Sequence, residues 1–300
     1  MISLRQLRYF DLLAAAGHFG RAAERAGVTQ PALSMQIVGL ERALGAPLIE
    51  RAPSGARLTV LGAEVAERGA RILAAVHDLE ALALARGEVL SGPLQLGIIP
   101  SVAPFLLPRL LDVARVRYPE LRLSVRETIT DTLAEELVRG ELDAIVASVP
   151  LHNDELAEEA AFEDAFLLAA PAGSPHAAKS PALTELISAD ELLLLEDGHC
   201  IRDQALAVCH AIDPRRLKSF GATSFSTLLQ LVAAGHGVTL LPELAVDAGI
   251  VADDRLAVVR FAVPEPSRTI GVAWRRSSPR ERDFRALTRL VREAGEGSAE

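Results

Sequence analysis

One turn near the N-terminus constrains the fold of this chain more than any other feature. Ala26-Gly27-Val28 separates two apolar-periodic segments, and the glycine supplies the backbone freedom that a tight turn needs. Before it, Leu4 to Ala15 reads as a helix with Leu4, Leu7, Phe10, Leu13 and Ala14 on one face. A short helix follows over Gly20 to Ala26. After it, Thr29 is placed to N-cap a third helix, with Gln30 and Pro31 in the first turn, where proline costs little. Leu33, Ile37, Leu40 and Leu44 would line the buried face of that helix, with Gln30, Ser34, Met35 and Val38 toward the other side. Two helices about such a turn make a helix-turn-helix, whose second helix lies in the major groove of DNA. Glutamine can pair with adenine edges, and serine with a base or a phosphate. Arg51 to Arg57 reads as a wing able to track the backbone. The competing reading is a plain helical bundle whose polar face is merely solvated.

Charge enters here. The net charge of −9 argues against wholesale nucleic-acid binding, but it is uneven. Residues 1–60 hold seven arginines against four acids, a net +3 that leaves −12 for the remainder. A basic head on an acidic body is a pattern that modular DNA-binding proteins show.

Thr59 can N-cap a long helix to about Ala85. Leu61, Val65, Ile72, Val76, Leu79 and Ala83 recur along it at spacings of three, four or seven, a seam for another helix. The stretch from Arg86 to Pro93 then reads as a linker. With no nearby partner in sequence, the long helix is read as a dimerisation helix. From Pro93, strand and helix patterns alternate. Strands are expected at Leu94–Ile99, Leu121–Glu127, Leu142–Ser148, Ala165–Ala170, Leu192–Leu195, Val238–Leu241, Ala257–Phe261 and Thr269–Trp274. Helices are expected at Phe105–Val116, Thr130–Arg139, Phe225–Ala234 and Arg280–Arg292. The alternation predicts an α/β fold with ligands at the carboxyl ends of the strands. Ser101 and Thr130, each just past a strand, would reach such a crevice. Taken singly, each hydroxyl is better read as an N-cap.

The first sixty residues resemble the LysR-type transcriptional regulators. The resemblance lies in Leu4-Arg5-Gln6-Leu7-Arg8-Tyr9-Phe10, Ala22-Ala23, Thr29-Gln30-Pro31-Ala32-Leu33-Ser34, Gln36-Ile37, Leu40-Glu41, Leu44-Gly45, Leu48-Ile49-Glu50-Arg51, and Leu58-Thr59 followed by Gly62. It implies that Gln30, Pro31, Ser34, Gln36 and Arg51 contact DNA. Ala222-Thr223-Ser224 and the stretch from Val232 to Pro242 resemble the effector domain of the same family, which is similar to a periplasmic binding protein. The implied architecture is a winged helix-turn-helix over 1–58, a linker and dimerisation helix over 59–87, and an effector domain over 88–300. Its two subdomains would be 90–162 plus 268–300, and 163–267, about a cleft. His236, in a glycine-flanked turn, is assigned no role. Dimers paired into tetramers would read repeated half-sites of double-stranded operator DNA, and RNA polymerase is a further expected partner.

The two cysteines lie in and just after Glu196-Asp197-Gly198-His199-Cys200-Ile201-Arg202-Asp203-Gln204, the second being Cys209. Gly198 breaks what precedes it, and Gln204 to Ile212 is apolar enough to start a helix. Cys200 is therefore expected at a loop-to-helix junction, where the helix dipole and unpaired N–H groups favour a thiolate. Nine helical residues would separate the two Cα atoms by about 13 Å. A disulfide needs under roughly 7 Å, so a bridge here could not leave the helix intact. Four readings remain open on the residues alone. The thiols could be inert. His199, Cys200, Cys209 and His210 could hold a metal, although adjacent residues rarely ligate one ion well and no close CxxC pair is present. Cys200 could be the nucleophile of a thiol peroxidase, for which no active-site motif is found. Or the pair could be a redox switch. Asp11 interrupts what would be the apolar core of a signal peptide, and no apolar run approaches the roughly 18 residues of a membrane span. A cytoplasmic protein without a membrane partner is expected, and there a disulfide would be transient.

Within the LysR-type family, Leu193 to Ala205 with Cys209 downstream resembles the OxyR peroxide sensors. Ile98-Ile99-Pro100-Ser101-Val102, Phe105-Leu106-Leu107-Pro108 and the stretch from Pro264 to Gly271 support the match. The resemblance implies that Cys200 is the peroxidatic cysteine and Cys209 the resolving one. Hydrogen peroxide would convert the Cys200 thiolate to a sulfenic acid that condenses with Cys209. It also implies polar support from Ser101, Thr130, His199 and Asp203, with Arg202 a candidate for stabilising the thiolate. Remodelling the segment would shift how effector domains pack and how the DNA heads are spaced, altering transcription of antioxidant genes. No cofactor, metal or enzymatic turnover is expected. Ser101 departs from the usual threonine, keeping the hydroxyl but losing the methyl that restrains it, and Gly221 stands where arginine is common. A second reading within the family is a regulator that binds a small organic acid in the cleft, with idle cysteines.

Overall fold

The computed structural model describes residues 1–52, 55–85, 87–177, 191–196, 200–208 and 222–296. The chain divides into two compact units. The first is Met1–Ala83 with Val138–Glu141 and Ser277–Pro279, and the second is the remainder.

The first unit carries the expected head: α1 (Leu4–Ala16), α2 (Phe19–Arg25), α3 (Gln30–Leu44), β1 (Ile49–Ala52), β2 (Gly55–Leu58) and most of α4 (Val60–Ala85). Its helix ends follow local chemistry. Ser3 and Gln6 form a reciprocal capping box on α1. The His18 ring accepts the Gly20 amide at the start of α2. Gly27 takes the left-handed conformation (φ +65°) in the turn before α3. The Thr29 hydroxyl accepts the Ala32 amide, with Pro31 in the first turn of α3. Leu7, Phe10, Leu13, Ala22, Ala23, Leu33, Ile37, Leu40 and Leu48 are buried together. Leu4 and Leu44, expected on buried faces, are exposed instead. Each is a terminal residue of its helix, beyond the reach of that core. β1 and β2 pair antiparallel as the wing. Thr59 caps α4 by accepting the Gly62 amide at 2.9 Å. A Cβ at residue 62 would collide with the Leu48 carbonyl, so glycine allows α4 to start against the wing. No helix among the described residues is long and apolar enough to cross a membrane.

The second unit is the expected α/β domain. It contains β3 (Gly92–Ile98), α5 (Ala103–Arg117), β4 (Leu121–Glu127), α6 (Thr130–Val138), β5 (Ala144–Val149), β6 (Leu156–Pro171), α7 (Cys200–Val208), α8 (Phe225–Ala233), β7 (Thr239–Pro242), α9 (Glu243–Asp247), β8 (Leu256–Arg260), β9 (Ser267–Arg275) and α10 (Glu281–Glu296). The sheet order is β4-β3-β5-β9-β6-β7, with β8 also on β6. β3 pairs parallel with both β4 and β5, so the carboxyl ends of these three strands share one edge. β9 runs antiparallel to β5, which puts its first residues at that same edge.

Three further expectations need correction, and one element went unread. β6 begins at Leu156 rather than Ala165, and it changes partners along its length. Residues 156–165 pair with β9, while 166–171 pair with β7 and β8. Leu192–Leu195 is no strand: a single bridge joins Leu192 to Val238. All four leucines are nonetheless buried, in the core that also holds Ile201, Ala205, Phe225 and Leu228. That core, not a ladder, explains their apolar character. The helix read from Gln204 begins at Cys200, and its expected continuation past Val208 lies outside the described residues. α9 is a single short turn with no periodicity of its own to read.

Candidate functional site

In the head, α3 presents Gln30 and Pro31 exposed and Ser34 and Gln36 half-buried, while Leu33, Ile37 and Leu40 anchor it from behind. Glu41, the acid on the same helix, turns away from solvent: its Oε1 accepts the Leu48 and Ile49 amides at 2.8 and 3.2 Å. That arrangement ties β1 to α3 and removes an anion from the reading face. Arg51 lies on β1. Arg5, Arg8, Arg21, Arg25, Arg42 and Arg57 are exposed, and the net +3 of residues 1–60 suits phosphates.

The second candidate site is the shared edge of the parallel strands. Ser101 stands three residues beyond β3, Thr130 three residues beyond β4, and Ser148 next to the last residue of β5. Arg268, at the head of β9, crosses this edge and is buried. Its Nη1 donates to Ser101 Oγ at 2.8 Å and its Nη2 to the Ser101 carbonyl at 3.2 Å. On its other side it meets Asp164, its register partner on β6, through Nε and Nη2 at 3.0 and 2.9 Å. Asp164 Oδ1 accepts the Leu244 amide at the start of α9. The guanidinium also lies 5.8 Å from the Phe166 ring centre. The buried charge is thus both paired and hydrogen-bonded, which is the condition for burying it at all.

α7 joins this edge through Gln204. Its Nε2 donates to Ser148 Oγ at 2.6 Å, and Ser148 Oγ in turn contacts the Thr269 carbonyl at 3.4 Å. Cys200 is the first residue of α7, one helical turn before Gln204. Here two polar atoms are buried without a hydrogen-bond partner: Thr130 Oγ1 and Gln204 Oε1. Such atoms are rare and expensive, so each calls for a partner such as a water or a ligand, or for a chemical role.

The capping alternative for Ser101 and Thr130 fails. α5 has Val102 as its N-cap with no side-chain hydrogen bond, Ser101 Oγ is engaged by Arg268, and Thr130 Oγ1 accepts and donates nothing. Arg202 Nη1 donates to the Leu195 carbonyl at 3.0 Å, which anchors α7 to the buried leucines. Asp203 is exposed. His199, Cys209, His210 and Gly221 lie outside the described residues. Gln204, Ser148, Asp164 and Arg268 escaped the sequence reading. The signal for Arg268 was a charged residue opening an otherwise apolar strand, and for Gln204 its position one turn after the cysteine. Among the described residues no group of three or more His, Cys, Asp or Glu side chains could hold a metal.

A model of the LysR substrate binding domain matches residues 87–296. A second, the bacterial regulatory helix-turn-helix protein of the lysR family, matches residues 4–63. The chain is 36% identical over 296 residues to the DNA-binding transcriptional dual regulator OxyR of Escherichia coli, covering 99% of this chain and 97% of the other. It is similar to the solved structure of a full-length OxyR variant from Pseudomonas aeruginosa, with a TM-score of 0.80, 34% identity and coverage of 100% and 99%. It is also similar to a hydrogen peroxide-bound cysteine-to-serine mutant of OxyR from Corynebacterium glutamicum, with a TM-score of 0.68, 31% identity and coverage of 99% and 93%.

Proposed function

We propose that this chain, which belongs to the LysR family of bacterial helix-turn-helix regulators, is an OxyR-like transcription activator induced by hydrogen peroxide, with Cys200 as its sensor. The observation that carries the reading is the position of Cys200 as the first residue of a helix whose next turn is bonded to the strand edge holding Ser101 and Thr130. A helix start favours a thiolate. The buried Thr130 hydroxyl and the Gln204 carbonyl oxygen have hydrogen-bonding capacity to spare, of the kind a peroxide molecule with donors and acceptors on both oxygens can use.

The reaction balances without a cofactor. The Cys200 thiolate attacks one peroxide oxygen, the O–O bond breaks, and the leaving hydroxide takes a proton to become water. Cys200 is left as a sulfenic acid. The Cys209 thiolate then attacks that sulfur, hydroxide leaves and takes a proton to become a second water, and the disulfide forms. Ser101, held by Arg268, and Thr130 line the approach, while Arg202, whose Nη1 anchors α7 to the Leu195 carbonyl, and exposed Asp203 neighbour the thiol in sequence, as does His199. Disulfide formation unwinds α7 and breaks its bond to Ser148. Because the same chain carries a helix-turn-helix head, the oxidation is read as a signal to DNA rather than as turnover, and the chain as a switch rather than an enzyme. Residues 90–162 plus 268–300 and residues 163–267 form the two subdomains around this edge.

Gln30, Pro31, Ser34, Gln36 and Arg51 contact operator DNA. Exposed Leu61, Ile72, Leu79 and Leu82 on α4 support pairing with a second copy, and exposed Leu111, Val116 and Val125 on α5 and β4 support a further one, giving a homodimer or homotetramer. RNA polymerase is the partner of the activating form, in the cytoplasm. For the organic-acid reading, Arg268, the arginine buried at this edge, is no free partner for a carboxylate, because Asp164 already neutralises it.

The test is peptide mapping after stoichiometric peroxide. The expected product is a Cys200–Cys209 disulfide, formed faster than free cysteine oxidises. Oxidation at the rate of free cysteine, with no bridge, would sink the sensor reading and leave the family assignment intact.

A further inference from the structure

The outer face of α3 exposes apolar side chains outside the buried core of the head. Met35 is 68% exposed and Val38 41%. With Pro31 and Ser34 they follow the i, i+3, i+4, i+7 spacing of a single helix face. The face opposite, Leu33, Ile37 and Leu40, is buried. Arg5, Arg8, Arg21, Arg25, Arg42 and Arg57 are exposed on a head of net +3, and Glu41 is spent on backbone amides. An apolar strip inside a basic surface is complementary to a polyanion that presents methyl groups. Duplex DNA is such a partner, and in its major groove thymine is the base that offers one.

We propose that Met35 and Val38 read thymine C5-methyl groups in the major groove and so set which operators this chain selects. The proposal rests on the DNA-binding reading above and deepens it. Gln30 and Ser34 can hydrogen-bond to base edges or phosphates, but valine has no hydrogen-bonding group and methionine only a weak acceptor. Their discrimination must therefore be apolar. Three residues of helix advance about 4.5 Å, between one and two base steps of about 3.4 Å. The pair thus addresses thymines at neighbouring or next-neighbouring steps.

The full-length protein selects duplexes from a random library, and one selected duplex is resynthesised with deoxyuridine at single thymine positions. That exchange removes only the methyl group. The expected result is an affinity loss of about fourfold per methyl at one or two positions, the value of burying one methylene-sized group. In the Met35→Ala, Val38→Ala double variant, the thymine and deoxyuridine duplexes should bind alike. Neither residue belongs to the buried core of the head, and a circular-dichroism melt of the double variant checks that the fold is kept. No loss at any thymine, or a loss that persists in the double variant, overturns the proposal and leaves the DNA-binding reading standing. Failure to select any sequence overturns that reading and the proposal with it.

Discussion

Thr130 carries a hydroxyl that the fold buries and leaves without a partner. A buried unsatisfied polar group costs about 1–3 kcal/mol, so Thr130→Val should raise stability by about 1 kcal/mol. The same change should slow Cys200 oxidation, because the hydroxyl is spare for peroxide. Urea denaturation and stopped-flow thiol consumption check the two halves together. A variant less stable than the parent, with unchanged oxidation, would make the hydroxyl structural. Asp164 behaves in the opposite way. It is one half of a buried ion pair with Arg268, and removing one partner of such a pair costs about 3–5 kcal/mol. Asp164→Asn should lower the urea midpoint accordingly and loosen Ser101, which Arg268 holds. These residues also mark the limit of sequence reading. Ser101 and Thr130 were legible because each follows the end of a strand. Asp164 and Arg268 meet only when β6 pairs with β9, across a separation of 104 residues.

At the scale of elements, most helices and strands were legible, and the misses have opposite causes. The first half of β6 is rich in acids: Glu158, Glu159, Glu163 and Asp164 dilute its apolar alternation, and a register shift between Ala160 and Phe162 breaks the period of two. Leu192–Leu195 misled in the other direction, since an apolar run records burial and not pairing. α7 is where the element and the chemistry coincide. Its anchors are Ile201 and Ala205 in the core, Arg202 on the Leu195 carbonyl and Gln204 on Ser148. A Cys200–Cys209 bridge cannot span the helix intact, so the oxidised protein should lose amide protection across residues 201–208 in hydrogen exchange. A bridged protein with those amides still protected would contradict the switch. Gln204→Ala should loosen the same amides in the reduced state and leave those of α10 untouched.

For the whole molecule, the decisive surface is the stripe on α4. The seam read from sequence included Leu61, Ile72 and Leu79, and all three are exposed. Val65 and Val76 on the same seam are half-buried. Isolated exposed leucines need no explanation, but a row at helical spacing along a 26-residue helix does. A second copy is the occupant that this periodicity fits, because heptad-like seams pair with their own kind. Pairing would also resolve the charge problem. One head of net +3 on a body of −12 is a weak DNA ligand, whereas two linked heads gain from effective concentration, commonly about 10²-fold or more. Leu79→Glu should therefore yield monomers by light scattering and weaken binding to a selected duplex by about 100-fold. Because the change lies in α4, Cys200 oxidation should keep its rate. Retention of dimers, or full-strength binding by monomers, would remove α4 from the assembly. A simultaneous loss of peroxide reactivity would show that sensing depends on pairing, and that the thiol and the DNA head are coupled even before the disulfide forms.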